Sequence, residues 1–137
     1  MMGTGTARVI GYAALFALAP SLGNIGSAHA QGADIEGSWS GGGRVELASG
    51  NTERATCRLN FRRRSSNSYQ AHAVCATPSA RVAQTAVVQR VAANEFTGSF
   101  YNQEFDVRGV IRITSRGNRL SVTLNGGGAT SHLELHR

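Results

Sequence analysis

Lysine is missing from this chain: all 14 basic residues are arginine, set against 8 acids. A phosphate loop needs a lysine beside its glycines, and Gly41-Gly42-Gly43-Arg44 runs into a strand pattern instead, so phosphate-loop chemistry is excluded. Proline and cysteine each occur only twice, which leaves a single disulfide connectivity, Cys57 with Cys75. Beyond residue 30 no apolar run is long enough to span a bilayer, and no segment has a helical period. Serine-nucleophile chemistry lacks its elbow, because the centre of Gly37-Ser38-Trp39-Ser40-Gly41 is Trp39. RNA recognition lacks an RNP pattern, and nucleic acid is not an expected partner.

What is present starts with an export signal. Arg8 supplies a positive start, residues 9–19 an apolar stretch of secretory length, and Ala28-His29-Ala30 a cleavage site before Gln31. The expected organisation is a cleaved signal peptide over residues 1–30 and one domain over residues 31–137, in the periplasm or outside the cell. The mature part keeps 13 arginines against 8 acids, a net charge of +5. Such a charge serves solubility, and it also favours acidic partners that a guanidinium can grip with two parallel hydrogen bonds.

The most regular alternation surrounds the cysteines. Ala55, Cys57, Leu59 and Phe61 share one face of a strand, and Tyr69, Ala71, Ala73 and Cys75 share one face of the next. A hairpin in which Cys57 meets Cys75, Leu59 meets Ala73 and Phe61 meets Ala71 places both thiols on the core side, with a polar loop over residues 64–68. Further strands follow the same reading: residues 37–47 ahead of the hairpin, then 81–91, 95–101, 105–115, 119–124 and 129–136. Turn-forming residues separate them, among them Ala92-Ala93-Asn94, Arg116-Gly117-Asn118 and Asn125-Gly126-Gly127-Gly128. Phe105, Val107, Ile111 and Ile113 are expected to face the core together. Eight strands joined by short connections predict an all-β antiparallel up-and-down barrel, with a two-sheet β-sandwich as the alternative. A barrel of this size is either filled by its own side chains or left with room for one small ligand.

The first strand opens with Gly37-Ser38-Trp39, and its Gly37-x-Trp39 resembles the G-x-W signature of the calycin barrels, which include lipocalins, avidins and small bacterial inhibitors of secreted metalloproteases. The resemblance implies a small barrel in which a late arginine packs over the tryptophan, a role that falls to Arg137 by position. It also implies, by analogy with the inhibitors, that residues 31–36 could reach into the cleft of an exported hydrolase.

Candidate chemistry is sparse. His132, Glu134 and His136 share a face, but strand rise separates the two histidines by roughly 13 Å, too far for one ion with nitrogen ligands near ~2 Å. No metal or other cofactor is expected, and the acids are too scattered for paired-carboxylate catalysis, so the chain is not expected to be an enzyme. Two features suit binding. Arg62-Arg63-Arg64, with Arg58 on the same hairpin, is the densest positive spot, and the aromatic stretch over residues 96–105 offers Tyr101 and Asn102, with Tyr69 as a further candidate. The leading expectation is a non-enzymatic binding protein for a small or anionic ligand, held at the barrel mouth or at the arginine-rich hairpin. The alternatives are an inhibitor of a secreted hydrolase acting through its N-terminal segment, and a structural protein of the envelope.

Overall fold

The computed structural model describes residues 32–137, together with Gly5 and Gly11. The expected cleavage site, Gln31 and the rest of the export signal lie outside the described residues. Eight strands follow one another: β1 (Gly37–Glu46), β2 (Thr52–Ser65), β3 (Ser68–Ala76), β4 (Arg81–Ala92), β5 (Glu95–Asn102), β6 (Val107–Arg116), β7 (Arg119–Gly126) and β8 (Ala129–His136). Each pairs antiparallel with its neighbours, and β8 returns to pair with β1, so the sheet closes into an up-and-down barrel and not a sandwich. Closure removes the unpaired strand edges that would otherwise invite association. Among the described residues no helix is long and apolar enough to cross a membrane.

The hairpin register is the expected one, with Cys57 opposite Cys75, Leu59 opposite Ala73 and Phe61 opposite Ala71. The two cysteines are bonded, and their Cα atoms lie 4.1 Å apart. The turn is tighter than the sequence suggests. β2 runs on through Arg62, Arg63 and Arg64 to Ser65, and the ladder shifts register between Arg63 and Ser65. Arg64 therefore sits with Arg62 and Arg63 on a strand instead of in the loop, because the ladder to β3 persists to the hairpin end. A second difference concerns Phe105, which is 54% exposed and lies outside β6. The Asn102 side-chain carbonyl accepts the Phe105 N–H at 3.1 Å and Asp106 adopts a left-handed φ of 48°, so the chain turns here and β6 begins at Val107.

Alternation decides what fills the interior. Trp39, Leu59, Phe61, Tyr69, Val88, Phe96, Ile111, Ile113, Leu120, Val122, Leu133 and Leu135 form one buried cluster, with Ile35 from the segment before β1. Two glycines fix the path of β1. Gly37 has a φ of 119°, a conformation that L side chains resist, where the chain turns from the barrel end into the strand. At Gly43 an added Cβ would fall 1.8 Å from the His132 carbonyl oxygen, so the close approach of β1 to β8 excludes a side chain there.

The disulfide joins residues 18 apart in sequence, and constraint of the unfolded chain by a loop of that size stabilises a fold by about 3 kcal/mol. Denaturant titration of the oxidised protein and of Cys57→Ala/Cys75→Ala should differ by about that amount, with the barrel retained in both. Equal stabilities would mean that the hairpin ladder already supplies the constraint.

Candidate functional site

The two ends of the barrel are built differently. At the end where β1 begins and β8 finishes, residues 33–36 cross the opening as a strap, and Ile35 is fully buried beneath it. Four successive carbonyl oxygens of this strap each accept a side-chain N–H. Arg90 Nη2 donates to Ala33 at 2.7 Å, Arg137 Nη2 to Asp34 at 2.9 Å, Trp39 Nε1 to Ile35 at 2.9 Å, and Arg137 Nη1 to Glu36 at 2.9 Å. The guanidinium groups also stack on aromatic rings, Arg137 over Trp39 at 4.3 Å and Arg90 over Phe96 at 4.7 Å. Arg137 thus packs over Trp39 and holds two of the strap's four carbonyls.

Arg63 completes this floor. It pairs with Asp34 at 2.6 Å, its backbone N–H donates to Glu36 Oε2 at 3.0 Å, and its guanidinium lies 5.7 Å from the centre of the Tyr69 ring. Asp34 also accepts from the Glu36 N–H at 3.0 Å and from the Tyr69 hydroxyl at 3.1 Å. Its carboxyl is held below the usual carboxylate value of 3.8 by the Glu36 N–H first; partial desolvation opposes this, and Arg63 and Tyr69 add to the lowering. Burial, followed by the neighbouring Asp34, pushes the Tyr69 phenol up.

Among the described residues no strap crosses the opposite end. Its inward positions are small or half-buried: Val45, Ala73, Cys75, Val107 and Leu124 pack against the core without being covered by it, and at the rim the half-buried Glu53, opposite Val45, accepts from the Ser79 hydroxyl at 2.7 Å. Below them lies a cavity of about 20 Å³, lined by Leu59, Ala71, Ala73, Ala86, Phe100, Ile111, Leu124 and Leu133, with Gln84 and Thr85 as its polar lining residues. That volume holds about one water molecule, so the lumen is nearly filled, and what stays accessible at this end is a cup formed by the apolar surface of those half-buried side chains.

The expected binding residues do not converge. Arg58, Arg62 and Arg64 are exposed, whereas Arg63 is committed to Asp34 at the strapped end. Tyr69 is fully buried at the same end, edge-on to Phe96 with ring centres 5.6 Å apart. Tyr101 lies on the outer wall, donating to Asp106 at 3.2 Å beneath the Arg108 guanidinium. Asn102 is buried and caps the turn at Phe105. Among the described residues, no three His, Cys, Asp or Glu side chains are placed to hold a metal ion. Sequence reasoning missed the joint role of Arg63, Arg90 and Arg137, although each continues the inward alternation of its strand at the same barrel end. Gln84, opposite the inward Ala73, was missed as well.

No family model matches this chain, and no curated protein does. Solved structures do resemble it. The redesigned β-barrel mFAP0, bound to DFHBI, is 13% identical, with a TM-score of 0.65 over 75% of this chain and 98% of that one. A second redesigned barrel, mFAP1 bound to DFHBI, is 10% identical with a TM-score of 0.64 over 75% and 94%. A fluorescence-activating β-barrel designed de novo is 12% identical with a TM-score of 0.59 over 75% and 93%. At these identities the likeness is one of fold, and the fold is that of a small closed β-barrel.

The Asp34 network predicts a pH response. A carboxyl whose folded pKa is depressed stabilises the fold above its unfolded pKa and loses that contribution as pH falls through the lower folded value. The melting temperature of the wild type should exceed that of Asp34→Asn by a steady margin from pH 7 to about 5, and the margin should close below about 4. A margin independent of pH would contradict an ionised Asp34 at the strap.

Proposed function

We propose that this protein is an exported, non-enzymatic binding protein that takes one small, mainly apolar ligand through the unstrapped end of its barrel. The observation that carries this reading is the inequality of the ends: one is closed by a captured strap, and the other presents an apolar cup over a small cavity. Barrels of eight strands have interiors of the size that one small ligand occupies, and two of the similar designed barrels hold DFHBI. The cup suits a slender apolar group, and Gln84 supplies a donor and an acceptor for a single polar function on it. Export fits the Cys57–Cys75 bridge, which persists in an oxidising compartment.

The inhibitor reading has less support. Residues 33–36 would have to leave their arginine partners and uncover Ile35 to enter a protease cleft. Nothing in the barrel favours a purely structural role over binding.

A titration with neutral straight-chain alcohols from butanol to decanol, followed by NMR, tests the proposal. Saturable shifts are expected at Ala73, Gln84 and Leu124, and Ala73→Phe, which fills the cup, should weaken binding at least tenfold. Shifts that survive Ala73→Phe, or that fall at the strapped end, would contradict the proposed entrance.

A further inference from the structure

We propose that the outer wall of β1 and β2 is a second binding site, one that takes a tetrahedral oxyanion, the phosphate group of an ester or headgroup being the chemistry it fits. Along this wall Arg44 lies directly opposite Arg54, Gly42 opposite Thr56, and Ser40 opposite Arg58. These six residues, with their strand neighbours and Glu53 and Thr52 at one end, line an open trough of about 880 Å³. The Gly42–Thr56 rung lies between the two arginine-bearing rungs, roughly 7 Å from each along the strands, which is within the reach of a guanidinium.

Three observations make this more than a solvated face. First, like charges directly opposite one another destabilise a sheet, and neither Arg44 nor Arg54 is drawn into an ion pair among the described residues, although Glu46 follows Arg44 on the same face. Among the described residues both ion-pair contacts belong to Arg63, and neither involves Arg44, Arg54 or Arg58. The nearby Glu134, paired with Gly42, accepts from Ser121 at 2.7 Å on its far side, towards β7. Second, the floor is kept bare, because a Cβ at Gly42 would fall 2.4 Å from the Ala55 carbonyl oxygen. Third, Ser40 and Thr56 bring hydroxyl donors to the same rungs. Guanidinium groups above a bare floor, with hydroxyls between them, match the several acceptor oxygens of a phosphate. The site is separate from the lumen, since these side chains alternate with the inward Trp39, Ala55 and Cys57.

The chain contains its own control. Arg116 is also opposite Arg119, but that pair closes the Gly117-Asn118 hairpin end and does not line the trough. Thermal unfolding of the full mature protein would be followed against sodium phosphate, with sodium chloride at matched ionic strength as reference. The expected result is a saturable rise in melting temperature specific to phosphate, weakened at least tenfold in apparent affinity by Arg44→Ser or Arg54→Ser and unchanged in Arg116→Ser/Arg119→Ser. Without phosphate, Arg44→Ser should melt no lower than wild type, because a like-charge contact has been removed. An equal rise with chloride, or an equal loss in the Arg116/Arg119 control, would overturn the site. Co-sedimentation with phosphatidylglycerol vesicles but not phosphatidylcholine vesicles, lost in Arg44→Ser/Arg54→Ser, would assign the phosphate to a headgroup. A phosphate response without co-sedimentation would assign it to a soluble ester.

Discussion

Capture of the strap's four carbonyl oxygens by Arg90, Trp39 and Arg137 is the interaction on which the rest of this barrel depends. An irregular segment laid over a barrel end brings backbone acceptors to an apolar core, and leaving them unpaired would cost more than Ile35 burial returns. The chain meets that demand with side chains that have an apolar stem and a donor tip, so one residue both seals the core and satisfies the strap. The unpaired carbonyls of a polar segment thus become the fastening of the floor. Gly37, at its positive φ, lets the strap turn into β1 with Trp39 directed inward.

Because the floor is fastened, the two ends are not interchangeable. Large side chains gather towards the strap: Phe61, Tyr69, Phe96, Leu120 and Leu135 are buried there. Towards the other end the inward positions become Ala73, Cys75, Val107 and Leu124, which are only partly covered. Burial therefore falls along the barrel axis, and apolar surface is left accessible at one end. The ligand proposal rests on that gradient. The proposed oxyanion site rests on different physics, a repulsive cross-strand arrangement on the outer wall, so either could stand without the other.

Much of the fold was legible because side-chain period and covalent constraint point the same way. Cys57 and Cys75 share a face with the aliphatic residues around them, and only one register serves both; the strands and turns followed from alternation and from Gly and Asn positions. What alternation left hidden was the fate of charged residues that obey it. Arg63, Arg90 and Arg137 occupy inward positions at strand ends, but an arginine in sequence reads as surface, and their shared partner becomes visible only when three distant strands meet at one rim. Phe105 failed in the opposite direction: its apolar character suggested core, while the Asn102 side chain and the left-handed Asp106 turned the chain before β6 began. Tyr69 and Tyr101 were read alike from their aromatic character, although they lie on opposite faces of the barrel wall, one in the core and one outside. The cup was not legible, since its shape depends on how eight strands coil and not on any one of them.

Residue-resolved amide hydrogen exchange on the disulfide-bonded protein tests the central claim, that a captured strap closes one end and leaves the other loose. Amides of Phe61, Tyr69, Phe96 and Leu120 should exchange at least tenfold more slowly than those of Val45, Ala73, Val82 and Val107, and Arg137→Ala should remove most of that difference. Equal protection at the two ends, or a difference that Arg137→Ala leaves untouched, would contradict it.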